Sequence, residues 1–218
     1  MQNTLKLRAF DPCKMNCHNV CIIGKRQTGT STLIKDLLAS KQISNSGVVL
    51  SPTFGCDSQH TMVYHLKQEI QNEFDVDKLD SFVSHQIARL KTKDGKAKTY
   101  FVSDECIADV KQYMDKYDSF KELVNYSRTL QVALIIALQY PEAAPMYLIN
   151  VDCIFLFRCT NIGECRKIYE HYAPMFPSFE EFYQTFEQIT QTPYTAMVIY
   201  NNTRSNKLED QVFWYRGE

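Results

Sequence analysis

The chain has 218 residues, 44% of them hydrophobic and 22% charged, with 24 Lys and Arg against 25 Asp and Glu for a formal net charge of −1. This balance excludes a disordered or fibrous chain and suits one globular domain over residues 1–218 with a substantial core. It also excludes overall basicity as a route to nucleic acid, so any such contact needs a local patch or a pore formed on assembly.

In chain order, the opening MQNTLKLRAF lacks the apolar centre of a signal peptide, and the longest apolar run, residues 132–138, is too short to cross a bilayer. A soluble, intracellular protein without membrane insertion is expected. Short β-rich runs then alternate with segments of helical spacing, the pattern of βα units feeding a mostly parallel central sheet in a three-layer α/β sandwich. The first strand is residues 20–23, followed by a glycine-containing loop and a helix with Leu33, Ile34, Leu37 and Leu38 on one stripe. A second strand, 48–50, ends before Pro52. Helical spacing covers 62–70 and 80–90, and 91–98 form a basic turn. The third strand, 99–103, closes on two acids. Helical material over 107–125 precedes the fourth strand, 132–138, which Pro141 stops. The fifth, 153–157, is followed by helices near 163–169 and 179–189. Runs 196–200 and 212–215 read as a hairpin across the polar segment 201–210. There is no internal repeat, low-complexity tract or linker.

The segment GKRQTGTST comprises Gly24, Lys25, Arg26, Gln27, Thr28, Gly29, Thr30, Ser31 and Thr32, between a buried strand and a helix. That is the setting of a phosphate loop. Gly24 and Gly29 permit the backbone angles that turn successive N–H groups toward phosphate oxygens, and the helix N-terminus adds partial positive charge. Ser31 stands where the loop's hydroxyl ligates Mg²⁺, so ATP and Mg²⁺ are the expected cofactors. Thr30 stands where the GxxxxGK[ST] pattern carries the lysine that reaches the β and γ phosphates. Lys25 and Arg26 are the cations at hand to substitute.

Asp104 and Glu105 end an apolar strand, where a phosphate-loop sheet presents its second motif. Asp104 is assigned to the Mg²⁺ shell and Glu105 to the attacking water. The alternative is that both acids cap the helix that follows. Gln139, at the end of the fourth strand, is placed to sense the γ-phosphate or the water, or else to bond the backbone as a strand-end amide. Arg128 precedes the same strand and is a candidate arginine finger for a neighbouring subunit, against the commoner surface arginine.

The GKRxxGxST loop, the strand ending in Asp104-Glu105, the Asn125-x-x-Arg128 element and the strand ending in Gln139-Tyr140 together resemble the genome-packaging ATPases of large DNA viruses, of the FtsK and HerA class. Asp152 to Phe157 and Phe213-Trp214-Tyr215 resemble the family's C-terminal part. The resemblance implies a P-loop NTPase fold, a homo-oligomeric ring, ATP-driven translocation of double-stranded DNA, and delivery to capsid or virion proteins. It also implies residence in the host cytoplasm at the assembly site, or in the virion. Because the family's lysine is replaced by Thr30, a nucleotide-binding subunit that does not hydrolyse is the competing reading; a small-molecule kinase lacks any acceptor-binding signature.

The remaining constellations have plainer readings. Cys13, Cys17, His18 and Cys21 have the wrong spacing for the usual zinc sites, and Cys21 falls in the first strand as a small apolar side chain. Eight cysteines scattered over this length predict free thiols in a reducing compartment. The basic run Arg89, Lys91, Lys93, Lys96, Lys98 is a solvated face or a DNA contact, and the aromatic stretch 169–186 is core packing.

Overall fold

Apolar runs with no polar alternation require burial on both sides, and the central strands of this protein sit between two helical layers. The computed structural model describes residues 7–13, 15, 18–40, 46–51, 67–71, 74–92, 98–107, 110–141 and 151–217. Among them the strands are β1 (Arg8–Ala9), β2 (Asn19–Ile23), β3 (Ser46–Leu50), β4 (Lys67–Gln71), β5 (Thr99–Asp104), β6 (Val132–Leu138), β7 (Cys153–Phe157), β8 (Thr195–Tyr200) and β9 (Val212–Arg216). The helices are α1 (Thr30–Ala39), α2 (Val76–Leu90), α3 (Val110–Lys116), α4 (Asp118–Tyr126), α5 (Ile162–Tyr172), α6 (Phe179–Thr190) and α7 (Leu208–Gln211).

The strands form one nine-stranded sheet in the order β1-β9-β8-β7-β2-β6-β5-β3-β4. Only β8 runs against the others, through antiparallel pairing with β7 and β9. Alternate residues of each strand face opposite layers. Cys21 and Ile23 of β2, with Leu134, Ile136 and Leu138 of β6, pack against Leu79 of α2, Phe120 of α4, Ile168 of α5 and Phe186 of α6. Val20, Ile22, Ala133, Ile135 and Ala137 face the other way, onto Leu33, Ile34, Leu37 and Leu38 of α1. The result is the three-layer, mostly parallel sandwich expected from the sequence.

Several elements depart from expectation. Residues 67–71 form β4, not a helix: paired in parallel with β3, a run of helix-tolerant residues becomes an edge strand because the ladder outweighs intrinsic preference. Residues 62–66 lie outside the described residues. The helical segment 107–125 is two helices, divided by Tyr117 in extended conformation (φ −126°, ψ 110°). α2 begins earlier than expected because Asp75 caps it, accepting from the N–H groups of Asp77 and Lys78. The late hairpin is present, with α7 inserted in its connection.

Cys13, Cys21, Cys106, Cys159 and Cys165 are free thiols, whereas Cys153 is disulfide-bonded, which corrects the expectation of free thiols throughout. Size and compartment argue against a disulfide framework, but they say nothing about a single bridge. Cys21 is fully buried, its thiol pushed up to about 12 by burial, and no group of three or more metal-ligating side chains occurs among the described residues. Tyr169, Phe179, Phe182 and Phe186 pack ring against ring in the core. No described helix is long and apolar enough to cross a membrane.

Candidate phosphate-binding site

In an open α/β sheet, ligands lie at the carboxyl ends of the strands where the order reverses, and here the reversal is at β2. Strands β6, β5 and β3 lie to one side of it, β7, β8 and β9 to the other. Register brings the relevant strand ends to one edge: Ile23 pairs with Leu138 and Leu156, Asp104 with Ala137, and Phe157 with Ala196.

The loop leaves β2 with the Gly24 N–H donating to Leu138 O at 3.0 Å. The Thr28 hydroxyl and N–H both donate to Lys25 O, at 2.7 and 3.3 Å, and close a turn on themselves. Gln27 (φ 65°) and Gly29 (φ 112°) take left-handed conformations. Glycine is required twice. A Cβ at Gly24 would lie 2.7 Å from Thr28 Oγ1 and 3.0 Å from Phe157 Cβ, and one at Gly29 would lie 3.1 Å from Phe157 Cε1. Phe157 is the floor of the loop. α1 starts at Thr30 with Gly29 as its cap and no side-chain cap bond, so the N–H groups of its first turn have neither an intrahelical acceptor nor a capping oxygen. Thr30 is 6% exposed and its Oγ1 is buried without a hydrogen-bond partner.

The acids meet the loop in two places. The Ser31 hydroxyl donates to Asp104 Oδ2 at 3.3 Å, and Asp104 is buried. Gln139 Nε2 donates to Glu105 Oε2 at 2.6 Å, and Arg26 Nε stands 3.6 Å from the same oxygen. Glu105 has φ 60° and its N–H bonds Ala137 O, so the acid is the first residue past the ladder rather than a helix cap.

Lys25 turns the other way. Its Nζ lies 3.0 Å from Glu164 Oε2 in the first turn of α5. The hydrogen bond to Glu164 holds the Lys25 ammonium above its ordinary pKa, and the same bond, followed by that from Cys159, holds the Glu164 carboxyl below the usual carboxylate range. Cys159 Sγ is 3.2 Å from that oxygen, and burial pushes its thiol up to about 12, which removes it as a nucleophile. The sequence reading assigns neither Glu164 nor Phe157 to the site. An acid in the first turn of a helix reads as a dipole partner, and its pairing with Lys25, far away along the chain, has no local signal.

Arg128 is not beside this chain's own loop; its reading as an arginine finger concerns a neighbouring subunit's nucleotide. It lies at the opposite edge, where its guanidinium pairs with Asp152 beside the start of β7. Asp152 is 1% exposed and also accepts from the N–H groups of His18 and Asn19 at 2.7 and 2.8 Å. A buried carboxylate needs such a set of donors, and Arg128 is one of them.

No protein-family model matches the chain. It is 31% identical over 205 residues to the uncharacterized protein 088R of Invertebrate iridescent virus 3, spanning 91% of this chain and 75% of that protein. The chain belongs to the same protein family as 088R. Among solved structures, the DNA-packaging ATPase B204 of Sulfolobus turreted icosahedral virus superposes with a TM-score of 0.66 at 15% identity, covering 92% of this chain and 98% of that one. The genome-packaging NTPase B204 of Sulfolobus turreted icosahedral virus 2, in complex with ATP-gammaS, gives a TM-score of 0.61 at 17% identity over 90% and 96% of the two chains. The family of 088R, to which this chain belongs, therefore has a member with the P-loop fold of viral genome-packaging ATPases.

Proposed function

We propose that the chain is a viral DNA-packaging motor subunit that binds ATP with Mg²⁺ and couples its hydrolysis to translocation of double-stranded DNA. In this reading residues 1–218 act as one ATPase domain within a homo-oligomeric ring, which delivers DNA to capsid or virion proteins in the host cytoplasm. The observation that carries it is the meeting of Ser31 with Asp104, and of Gln139 with Glu105, along one lip of the glycine loop. The DNA-packaging and genome-packaging roles of the structurally similar B204 proteins support the same direction.

The loop fits a polyphosphate on its own terms. A Cβ is crowded at Gly24 and strained at Gly29 by its φ of 112°, the helix behind has no side-chain cap, and a buried hydroxyl lacks a partner among the described residues. Ser31 Oγ and Asp104 Oδ2 are hard oxygen donors suited to Mg²⁺. Bound Mg²⁺-ATP supplies the phosphoryl group and neutralises its charge. The protein's part is positional: free backbone amides of the loop and of the first turn of α1 hold phosphate oxygens, Glu105 accepts the proton of the attacking water, and Gln139 fixes the Glu105 carboxylate. Strain at Glu105, whose φ is 60°, fits a side chain held for chemistry rather than for the fold.

One observation favours a subunit that binds nucleotide without turning it over. Thr30 brings no charge, and the ammonium of Lys25 in the same loop is engaged by Glu164. Nucleotide binding and ATP turnover measured in parallel, with and without double-stranded DNA, decide between the two. DNA-stimulated hydrolysis supports the motor, binding without turnover supports the silent subunit, and no binding sinks both.

A further inference from the structure

We propose that Tyr194 is the platform on which the nucleobase stacks, an inference that rests on the loop's binding a nucleotide. The two ends of the phosphate chain are distinguished by the sheet. Asp104, Glu105 and Gln139 all lie at the ends of β5 and β6, on one side of β2, so the terminal phosphate points there. The nucleoside must then leave on the other side, over the ends of β7, β8 and β9.

Tyr194 stands there, immediately before β8. A Cβ at Gly29 would lie 3.2 Å from Tyr194 Cδ1 and 3.3 Å from its Cα, so the tyrosine abuts the last glycine of the loop. Yet the residue is 53% exposed, and its hydroxyl makes no hydrogen bond among the described residues. A tyrosine that served only to fill space against Gly29 would be buried. Its backbone has φ 60°, a left-handed conformation that a bulky side chain adopts only at a cost.

The surroundings hold it there. The Gly217 N–H donates to Tyr194 O at 3.1 Å, and a Cβ at Gly217 would lie 3.0 Å from Thr32 Cγ2. The Tyr215 hydroxyl bonds the Asp36 carboxylate of α1. The β8 and β9 ends are thus fastened to the helix that follows the loop, and Tyr194 is held beside the loop itself. A rigid aromatic face costs little ordering on binding. Every base presents a π-face, so this platform favours nucleoside triphosphates over bare polyphosphate without selecting strongly among bases.

The test is calorimetric titration of the full chain with Mg²⁺-ATP and, separately, with Mg²⁺-tripolyphosphate. Tyr194→Ala should weaken ATP about tenfold and leave tripolyphosphate unchanged, while Tyr194→Phe keeps wild-type affinity for both. Equal weakening of both ligands overturns the proposal, because the side chain then only shapes the loop through Gly29. No change in either also overturns it. Should the alanine variant fail to fold, Tyr194→Leu keeps apolar bulk against Gly29 without an aromatic face and must show the same selective loss. If wild type binds tripolyphosphate and ATP equally well, the base platform fails while the phosphate loop stands; if it binds neither, the nucleotide reading itself fails.

Discussion

Thr30→Lys returns an ammonium group to the position where the phosphate-loop pattern carries one. Thr30 opens α1, is 6% exposed, and leaves its hydroxyl buried without a partner. Deleting that hydroxyl relieves about 1–3 kcal/mol of unsatisfied desolvation. Against this, a cation at a helix N-terminus opposes the macrodipole by about 0.3–1 kcal/mol, and it joins Lys25 and Arg26 in the same loop. The lysine stem must also find a way out of an enclosed position. These terms oppose one another, so the nucleotide-free variant should unfold in urea within about 1 kcal/mol of wild type.

With ATP bound the balance changes. A preorganised donor at the transferring phosphoryl group is worth about 2.7–4 kcal/mol in the transition state, or roughly a hundred- to thousandfold in turnover. Phosphate release at saturating Mg²⁺-ATP, with double-stranded DNA present, should rise by that factor in Thr30→Lys. Thr30→Val removes the hydroxyl without adding charge and should be at least as stable as wild type, with no gain in rate. A Thr30→Lys variant that binds ATP and turns over no faster than wild type would refute the reasoning, since the missing ammonium would not be what limits the reaction. If Lys25 already supplies the charge, wild type is fast, Lys25→Ala lowers turnover by a similar factor, and Thr30→Lys restores it.

Glu105→Gln should retain ATP affinity by titration and lose turnover by roughly a hundred- to ten-thousandfold, because the amide keeps the contact with Gln139 and cannot take a proton. Asp152→Ala removes the buried acceptor of two backbone N–H groups and one guanidinium, and should cost about 3–5 kcal/mol in urea unfolding. Arg128→Ala leaves those N–H groups on the carboxylate and should cost less, about 1–3 kcal/mol; neither change should alter ATP affinity, since both residues lie at the far edge of the sheet. Burial, ahead of the opposing charge of Asp152, lowers the His18 pKa below its ordinary 6.5. As pH falls below 6.5 the unfolded chain takes up a proton that the folded one refuses, so stability should decline with acidification, and the slope should diminish in His18→Gln.

The core strands were legible because burial on both faces leaves an uninterrupted apolar run. The bounds of β6 and β7 match the runs Val-Ala-Leu-Ile-Ile-Ala-Leu and Cys-Ile-Phe-Leu-Phe residue for residue. The edges were not. β1 has two residues, too few for any periodicity, and β4 is a strand by virtue of its pairing with β3 rather than by composition. The loop and its acids share the same asymmetry. Gly24, Gly29, Ser31, Asp104, Glu105 and Gln139 each adjoin a strand or helix end and could be named from local pattern, whereas Glu164, Tyr194 and Asp152 act through partners distant in sequence. Arg128 stands where its sequence position puts it, just before β6, at the beginning of that strand while the loop and the acids lie at the end.

The distribution of backbone strain follows the same division of the sheet into two edges. Four residues other than glycine have positive φ among the described ones: Gln27, Glu105, Gln131 and Tyr194. Three of these stand at the carboxyl edge, one in the phosphate loop, one as the acid assigned to the water, one as the aromatic beside Gly29. Each costs on the order of 1–3 kcal/mol and persists only where its surroundings over-determine it. Here the surroundings are the buried ladders of β2, β5, β6 and β7 and the anchor of Asp152 at the other edge, which are cohesive enough to offset it. The fold thus holds three of the four strained residues at the edge proposed to carry the chemistry and places the buried charge pair, with Gln131, at the other. Mutations at the two edges should accordingly separate, with stability lost at Asp152 and Arg128, and binding or turnover lost at Glu105 and Tyr194.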